Sequence, residues 1–344
     1  MLGVNVTLLE PGEERAWDDF VRQAPEATFF HLSGWKRVIE RAFGHRTFYL
    51  LARRSGAVVG VLPLTHVKSV LFGNSLISNA FCVYGGIVAA DDEAMRALEA
   101  EAVRIAAREK VGCIEFRSIK PAHPDWVQKP NLYVTFRRPI DPNPDANMKA
   151  IPRKQRAMVR KGIANGLTSE CDGNVARLHD VYAHSVRNLG TPVFSRRYFQ
   201  LLKDEFGEAC DVVTVLHGTK PVASVLNLYF RDEVLPYYGG GLTEARHLAA
   251  NDFMYWEVMR RACERGYRLF DFGRSKIGTG AYDFKHNWGF EPTPLTYEFR
   301  LVEAGKIPDV NPLNPKFQAF IALWRRLPVS LTKVLGPPIV RGIG

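Results

Sequence analysis

Paired cysteines are missing from this sequence. The five present, Cys82, Cys113, Cys171, Cys210 and Cys263, are scattered with no CxxC spacing. That excludes a disulfide framework and suggests reduced thiols in a cytosolic protein. The nine histidines never fall at HxxxH or HExxH spacing, so no metal site is expected. No Ser-His-Asp or Cys-His arrangement is readable, which leaves no candidate for a covalent enzyme intermediate. Acid is short relative to base, with 36 Asp and Glu against 46 Lys and Arg. The resulting net charge of +10 suits phosphate-rich partners without choosing between nucleic acid, nucleotide, acidic lipid and diphosphate carrier. Met1 to Glu10 has neither a basic start nor a long apolar run, so no signal peptide is expected. The uncharged run Ser69 to Ala90 holds Gly73, Asn74, Asn79, Gly85 and Gly86, which suits two buried strands better than a membrane span.

What is present fills more than one core. A chain of 344 residues carries a prior of two domains. Glu14 to Arg22 and Ser33 to Phe43 read as amphipathic helices, followed by strands at Phe48 to Ala52 and Val58 to Val67. Asp92 opens a helix to Glu109, and Cys113 to Arg117 reads as a strand. The proline-rich stretch 138–152 reads as a linker. After it the order of elements returns: a helix stopped at Gly207, strands around Gly218, a strand at Leu235 to Gly239, a helix from Asn251 and a strand at Leu269 to Phe272. Tyr84-Gly85-Gly86 matches Tyr238-Gly239-Gly240, and Glu115 to Ser118 matches Asp271 to Ser275 with one insertion. An internal duplication is expected. The expected division is residues 1–137, the linker, 153–303 and a basic amphipathic tail, 304–344.

The stretch Tyr267 to Glu291 organises the rest. It is a buried strand around Asp271, then a loop with Gly273, Gly278 and Gly280, then an aromatic run holding the single interior cation Lys285. Acid and base at a strand end beside a glycine-rich loop are a usual layout for a site. A second candidate is the helix Pro152 to Asn165. Its Arg153, Arg156 and Arg160 fall on one face, flanked by Lys154 and Lys161, and suit an anion.

Three stretches, IPRKQRAMVRKGIANGL, AANDFMYWEVMRRACERGYRLFDFG and YDFKHNWGF, carry a family likeness over roughly residues 25 to 300. Each half resembles a GCN5-related N-acetyltransferase (GNAT) domain, and the tandem resembles the FemAB family of aminoacyl and peptidyl transferases. The whole chain looks most like the FemAB-like proteins associated with exosortase/PEP-CTERM gene clusters in exopolysaccharide-making Gram-negative bacteria. The resemblance implies an α+β fold of two GNAT-like domains. It also implies transfer of an acyl or aminoacyl group onto an amine of a lipid-linked or polysaccharide precursor of the cell envelope. The donor would be aminoacyl-tRNA or acyl-CoA, with no tightly bound cofactor. In that reading Lys285, Asp271 and Asp283 are the catalytic candidates. Arg153, Arg156, Arg160, Arg274, Tyr238, Tyr282 and Trp288 are the substrate-binding ones, and Asp252 is only a helix cap. The run Arg246 to Asn251 lacks the glycines of an acetyl-CoA loop, which disfavours a CoA-dependent N-acyltransferase relative to an aminoacyl transferase. A binding module that has lost the donor site is the third alternative. The tail from Asn314, with Phe317, Phe320, Ile321, Trp324 and Leu327 at helical spacing, is expected either on the inner membrane or on the protein's own surface.

Overall fold

Leu132 and Tyr133 mark where the chain passes from one unit to another. In the computed structural model, unit 1 comprises Met1–Leu132, Leu295–Asn311 and Arg341–Gly344, and unit 2 comprises Tyr133–Pro294 and Pro312–Val340. The structure describes residues 3–69, 72–303 and 315–344; the side chains of residues 131 and 315–317 are outside that description.

Unit 1 begins with β1 (Asn5–Leu8), α1 (Glu14–Gln23) and α2 (Gly34–Phe43). Gly44 stops α2 in the left-handed conformation, at a φ of 66° that an L side chain resists. β2 (Arg46–Arg54) and β3 (Ala57–Ser69) form a long antiparallel hairpin, and β4 (Gly73–Ser78) pairs with β3. A short β5 (Val88–Ala89) precedes α3 (Asp92–Arg108), whose N-terminus is capped by the Asp91 side chain accepting from Ala94 N. β6 (Cys113–Phe116) returns parallel to β4. The core packs α3 on one face of the sheet through Leu62, Leu64, Leu98, Ile105, Ile114 and Phe116. Of the two strands expected in the uncharged run, only β4 forms at length. Residues 79–87 stay irregular and are bonded in place, Gly85 N donating to Arg117 O and Asn79 Nδ2 to Phe30 O.

β7 (Val127–Pro139) carries the chain into unit 2 and is followed by α4 (Pro144–Ala150) and α5 (Arg153–Ala164). The linker expected at 138–152 is therefore a correction. Arg138 and Pro139 pair with a later strand, Ile140 and Ile151 are core residues, and Asn147 is buried bonding Asp141. Prolines end the strand and start the helix here, which is the other role they serve. β8 (Leu167–Cys171), α6 (Ala176–Leu189) and α7 (Arg196–Phe206) lead to the hairpin of β9 (Cys210–His217) and β10 (Lys220–Phe230). β11 (Glu233–Gly241), α8 (Ala245–Leu248), α9 (Ala250–Glu264) and β12 (Leu269–Asp271) complete the repeat of helix, hairpin, strand, helix and parallel strand. The sheet order is β7-β12-β11-β10-β9-β8. α9 is buried almost all round among the apolar side chains of the sheet.

β13 (Ser275–Lys276) pairs with β7, and α10 (Gly280–Asn287) follows, capped by Thr279. β14 (Pro292–Leu301) leaves unit 2, and its residues from Glu298 pair with β6 of unit 1, so the second expected domain does not run unbroken to residue 303. The tail forms α11 (Pro315–Trp324) and α12 (Val329–Arg341). Of the tail positions, Asn314 and the Lys316 and Phe317 side chains lie outside the described residues. Trp324 is buried, and its indole donates to Thr191 O at 3.2 Å, so the tail is held on unit 2 itself. Among the described residues, no helix is long and apolar enough to cross a membrane.

Candidate active site

β11 and β12 are parallel neighbours only at Glu233/Leu269 and Val234/Phe270. The next residues of β11 carry a bulge opposite Leu226 and Asn227, with Tyr237 as the extra residue. A bulge bends and twists its strand. From there to Gly241, β11 is paired among the described residues on its β10 side alone, so its β12 side is an open edge among them. The corresponding strands of unit 1 pair from Ser75/Cys113 to Ser78/Phe116, and the Gly85–Arg117 bond extends the closure past β4. The duplication thus has one closed copy and one open copy.

The chemistry-bearing residues collect where β11 and β12 part. Asp271 is fully buried. Its Oδ1 accepts from Gly273 N at 2.6 Å and from Thr135 Oγ1 at 3.4 Å, and its Oδ2 lies 3.2 Å from Arg137 Nε. Arg137 also bonds Glu233, whose carboxyl is raised above its ordinary range, first by burial and then by the charge of Asp271. Lys285 is three residues from Tyr282 along α10, on the same side, and is half-buried. Its Nζ donates to Gly273 O and Arg274 O, both at 3.1 Å, and sits 5.8 Å from the Phe136 ring. Burial pushes the amine down to about 7; Asp271 opposes that shift and Arg274 adds to it. An ammonium has three N–H groups, so two bonds to carbonyls leave one for an incoming oxygen. Arg274 lies 4.3 Å over the Tyr133 ring, and Tyr282 packs edge-on to Phe136 at 5.5 Å.

The structure brings Lys285, Asp271, Arg274 and Tyr282 together and leaves the other candidates elsewhere. Asp283 is exposed and, two residues from Lys285, projects from the opposite side of α10. Tyr238 is buried among Tyr182, Phe194, Tyr198 and Phe199, its hydroxyl 2.9 Å from that of Tyr198. Trp288 is fully buried, and its indole donates to Asp252 Oδ1 at 3.0 Å. Asp252 also accepts from Gln155 Nε2 at 3.2 Å, so it joins α5, α9 and the end of α10 and is no mere cap. Arg153 and Arg160 are exposed on α5, while Arg156 is half-buried and bonds Lys149 O. That basic face starts close to α10, since a Cβ on Gly289 would lie 3.0 Å from Pro152. Its other end meets α8, where Asn165 bonds Leu248 O and Arg246 and His247 are exposed.

Thr135, Arg137 and Glu233 escape the sequence reading. For Thr135 and Arg137 the signal was the alternation Val134, Thr135, Phe136, Arg137, which marks a strand with one apolar face; Glu233, at the start of β11, had no such mark. Among the described residues, no group of His, Cys, Asp and Glu could hold a metal ion.

Residues 148–286 match the acetyltransferase (GNAT) domain family. No curated protein matches the chain. Among solved structures, FemX is similar at a TM-score of 0.66 and 17% identity, covering 87% of this chain and 98% of its own. A tandem GNAT protein from the clavulanic acid biosynthesis pathway has a TM-score of 0.56 and 13% identity, with 87% and 98% covered. The C-terminal domain (DUF2156) of a candidate lysylphosphatidylglycerol synthetase from Agrobacterium fabrum has a TM-score of 0.55 and 15% identity, with 85% and 92% covered. At these identities the likeness is one of fold. The chain is an α+β protein of two GNAT-like units in tandem, an internal duplication whose second copy holds both the matched acetyltransferase domain and the Lys285 cluster.

Proposed function

We propose that the chain is an acyltransferase of FemAB type, moving an acyl or aminoacyl group from a phosphate-bearing carrier to an amine of a cell-envelope or exopolysaccharide precursor. The observation that carries the reading is Lys285, whose amine is fixed by two carbonyls at the mouth of the open β11 edge with one N–H to spare. The acceptor amine attacks the carbonyl carbon of the donor ester or thioester. Negative charge develops on the carbonyl oxygen, where the charged Lys285 stabilises it. The carbon–oxygen or carbon–sulfur bond to the carrier then breaks, and the proton lost by the amine ends on the departing carrier. Asp271 is sealed from solvent, so its role is to fix the Gly273 turn and to keep Lys285 protonatable. Arg153, Arg160 and Arg246 offer exposed guanidiniums for the carrier's phosphates.

An aminoacyl donor is preferred for two reasons. The segment from Arg246 to Asn251 has no glycine. One fold neighbour is the C-terminal domain of a candidate lysylphosphatidylglycerol synthetase. Acceptors of that kind put the chain at the cytoplasmic face of the inner membrane, within the envelope machinery with which exosortase/PEP-CTERM systems are associated. Calorimetry with charged tRNA and with acetyl-CoA, followed by single-turnover transfer, tests the assignment. Tight CoA binding without tRNA binding would make it a CoA-dependent N-acyltransferase; binding neither would make it a non-catalytic module.

A further inference from the structure

The two tail helices are fixed on unit 2 by one face each. α11 buries Trp324 and sets Ile321 against Gly190, while Arg187 donates to Arg325 O and Arg325 to Leu189 O. α12 buries Thr332, Gly336 and Val340, and a Cβ on Gly336 would lie 2.7 Å from Val193 O. Lys333 Nζ bonds Asp180 Oδ1 at 2.5 Å. Both helices are therefore held in one rotation about their axes.

That rotation turns a second set of apolar side chains outward. Leu323 is 61% exposed and Val334 69%, with Phe320, Leu331 and Leu335 also exposed, and Leu189 at the end of α6 adjoins them at 64%. Half of the strongly exposed large hydrophobics among the described residues sit on these two helices. An apolar cluster of this kind on a soluble surface marks an interaction site. The tail itself carries charge of one sign: from Val310 to Gly344 there is no Asp or Glu, while Lys316, Arg325, Arg326, Lys333 and Arg341 are cationic, Lys333 being paired with the Asp180 of α6 named above. Arg325 and Arg326 are exposed beside Leu323.

We propose that the outer face of α11 and α12 seats on an anionic phospholipid bilayer, apolar side chains entering the head-group boundary and arginines meeting lipid phosphates. A second copy is disfavoured as occupant, because pairing the patch with itself would bring the arginines of two copies together, and the neighbouring carboxylate, Asp180, is already engaged by Lys333. Exposed aliphatics with flanking arginines are the pattern of a helix lying in the interface. α11 is 10 residues and α12 is interrupted by Pro337 and Pro338, so neither spans. The seating rests on exposure and charge alone and is independent of the acyl chemistry.

Sedimentation of the full chain with vesicles of phosphatidylglycerol and phosphatidylcholine tests it, with light scattering for oligomeric state. The protein should bind the mixed vesicles, weaken in salt, and bind pure phosphatidylcholine poorly. Leu323→Glu with Val334→Glu should lower binding by about tenfold or more, because apolar insertion is lost and like charge is added. Both side chains are exposed, so circular dichroism should be unchanged. Lys285→Met should bind vesicles like the wild type, which separates a failure of the seating from a failure of the acyl-transfer reading. Absent binding to the anionic vesicles, equal binding by the double variant, or a wild-type dimer that the double variant dissociates would each overturn the proposal.

Discussion

Lys285 couples activity and stability in opposite directions. The unfolded amine keeps its proton to about the ordinary lysine value of 10.5, and the folded one, desolvated by burial, releases it near 7. Between those values the unfolded state binds more protons, so this residue's contribution to stability rises with pH across that window. Lys285→Met should therefore melt no lower than wild type at pH 7, and its relative advantage should shrink toward pH 10. Its transfer rate should fall on the order of 100-fold or more, as on loss of one oxyanion donor. Calorimetry against pH and single-turnover assays check the two halves. In the wild type kcat/KM should decline as pH rises through about 7, since the charged form does the work. Lys285→Arg should retain a minor activity but lose that decline, because a guanidinium stays charged. A wild-type rate in Lys285→Met would place the site elsewhere. A second residue, Asp252, makes the opposite case. Asp252→Ala leaves the Trp288 indole and the Gln155 amide without their shared acceptor. It should cost about 1–3 kcal/mol in urea unfolding, from buried donors left unmet.

At the scale of elements, α5 does two things with two faces. Gln155, Val159 and Gly162 pack inward, and Arg153 and Arg160 look out. A Cβ on Gly162 would fall 2.8 Å from Phe253 Cβ on α9. Gly162→Ala should thus destabilise by about 1–3 kcal/mol through overpacking, as chemical denaturation would register. Arg153→Ala and Arg160→Ala should leave stability alone and raise the donor KM, with a shallower dependence on salt. An unchanged KM would remove the face from carrier binding. The helix, its polarity and its basic stripe were all legible, because periodicity and punctuation are local signals. Lys285 and Asp271 were legible for the same reason, as charges inside an apolar stretch. The bulge at Tyr237 was not, since no residue type there demands one. Tyr238 and Trp288 show the limit of aromatic patterning: a ring in an aromatic run looks the same whether it lines a cleft or fills a core.

The molecule as a whole is two copies of one plan exchanging pieces of chain. The repeat was readable because helix, hairpin and parallel strand recur in order, with glycines at matching stops. The exchange was not, because it depends on which edge a late strand finds, and pairing partners far apart in sequence leave no local mark. β14 is the decisive piece. From Leu301 back to Glu298 it pairs with Cys113 to Phe116, closing the edge of β6. Glu298, fully buried, accepts from the backbone of Ala122 and His123 and so holds the loop that follows β6. The last residues return to unit 1 as well, His45 Nε2 lying 2.8 Å from Arg341 O. A fragment of residues 1–137, where composition alone would cut, has neither contribution. It exposes the β6 edge, an invitation to intermolecular pairing, and frees the loop around His123. Such a fragment should aggregate or show no cooperative thermal transition. Fusing residues 295–303 to it through a flexible linker should restore both solubility and a transition. A monomeric, cooperatively melting fragment without those residues would mean that β6 needs no partner and that the late strand is an accessory to unit 1.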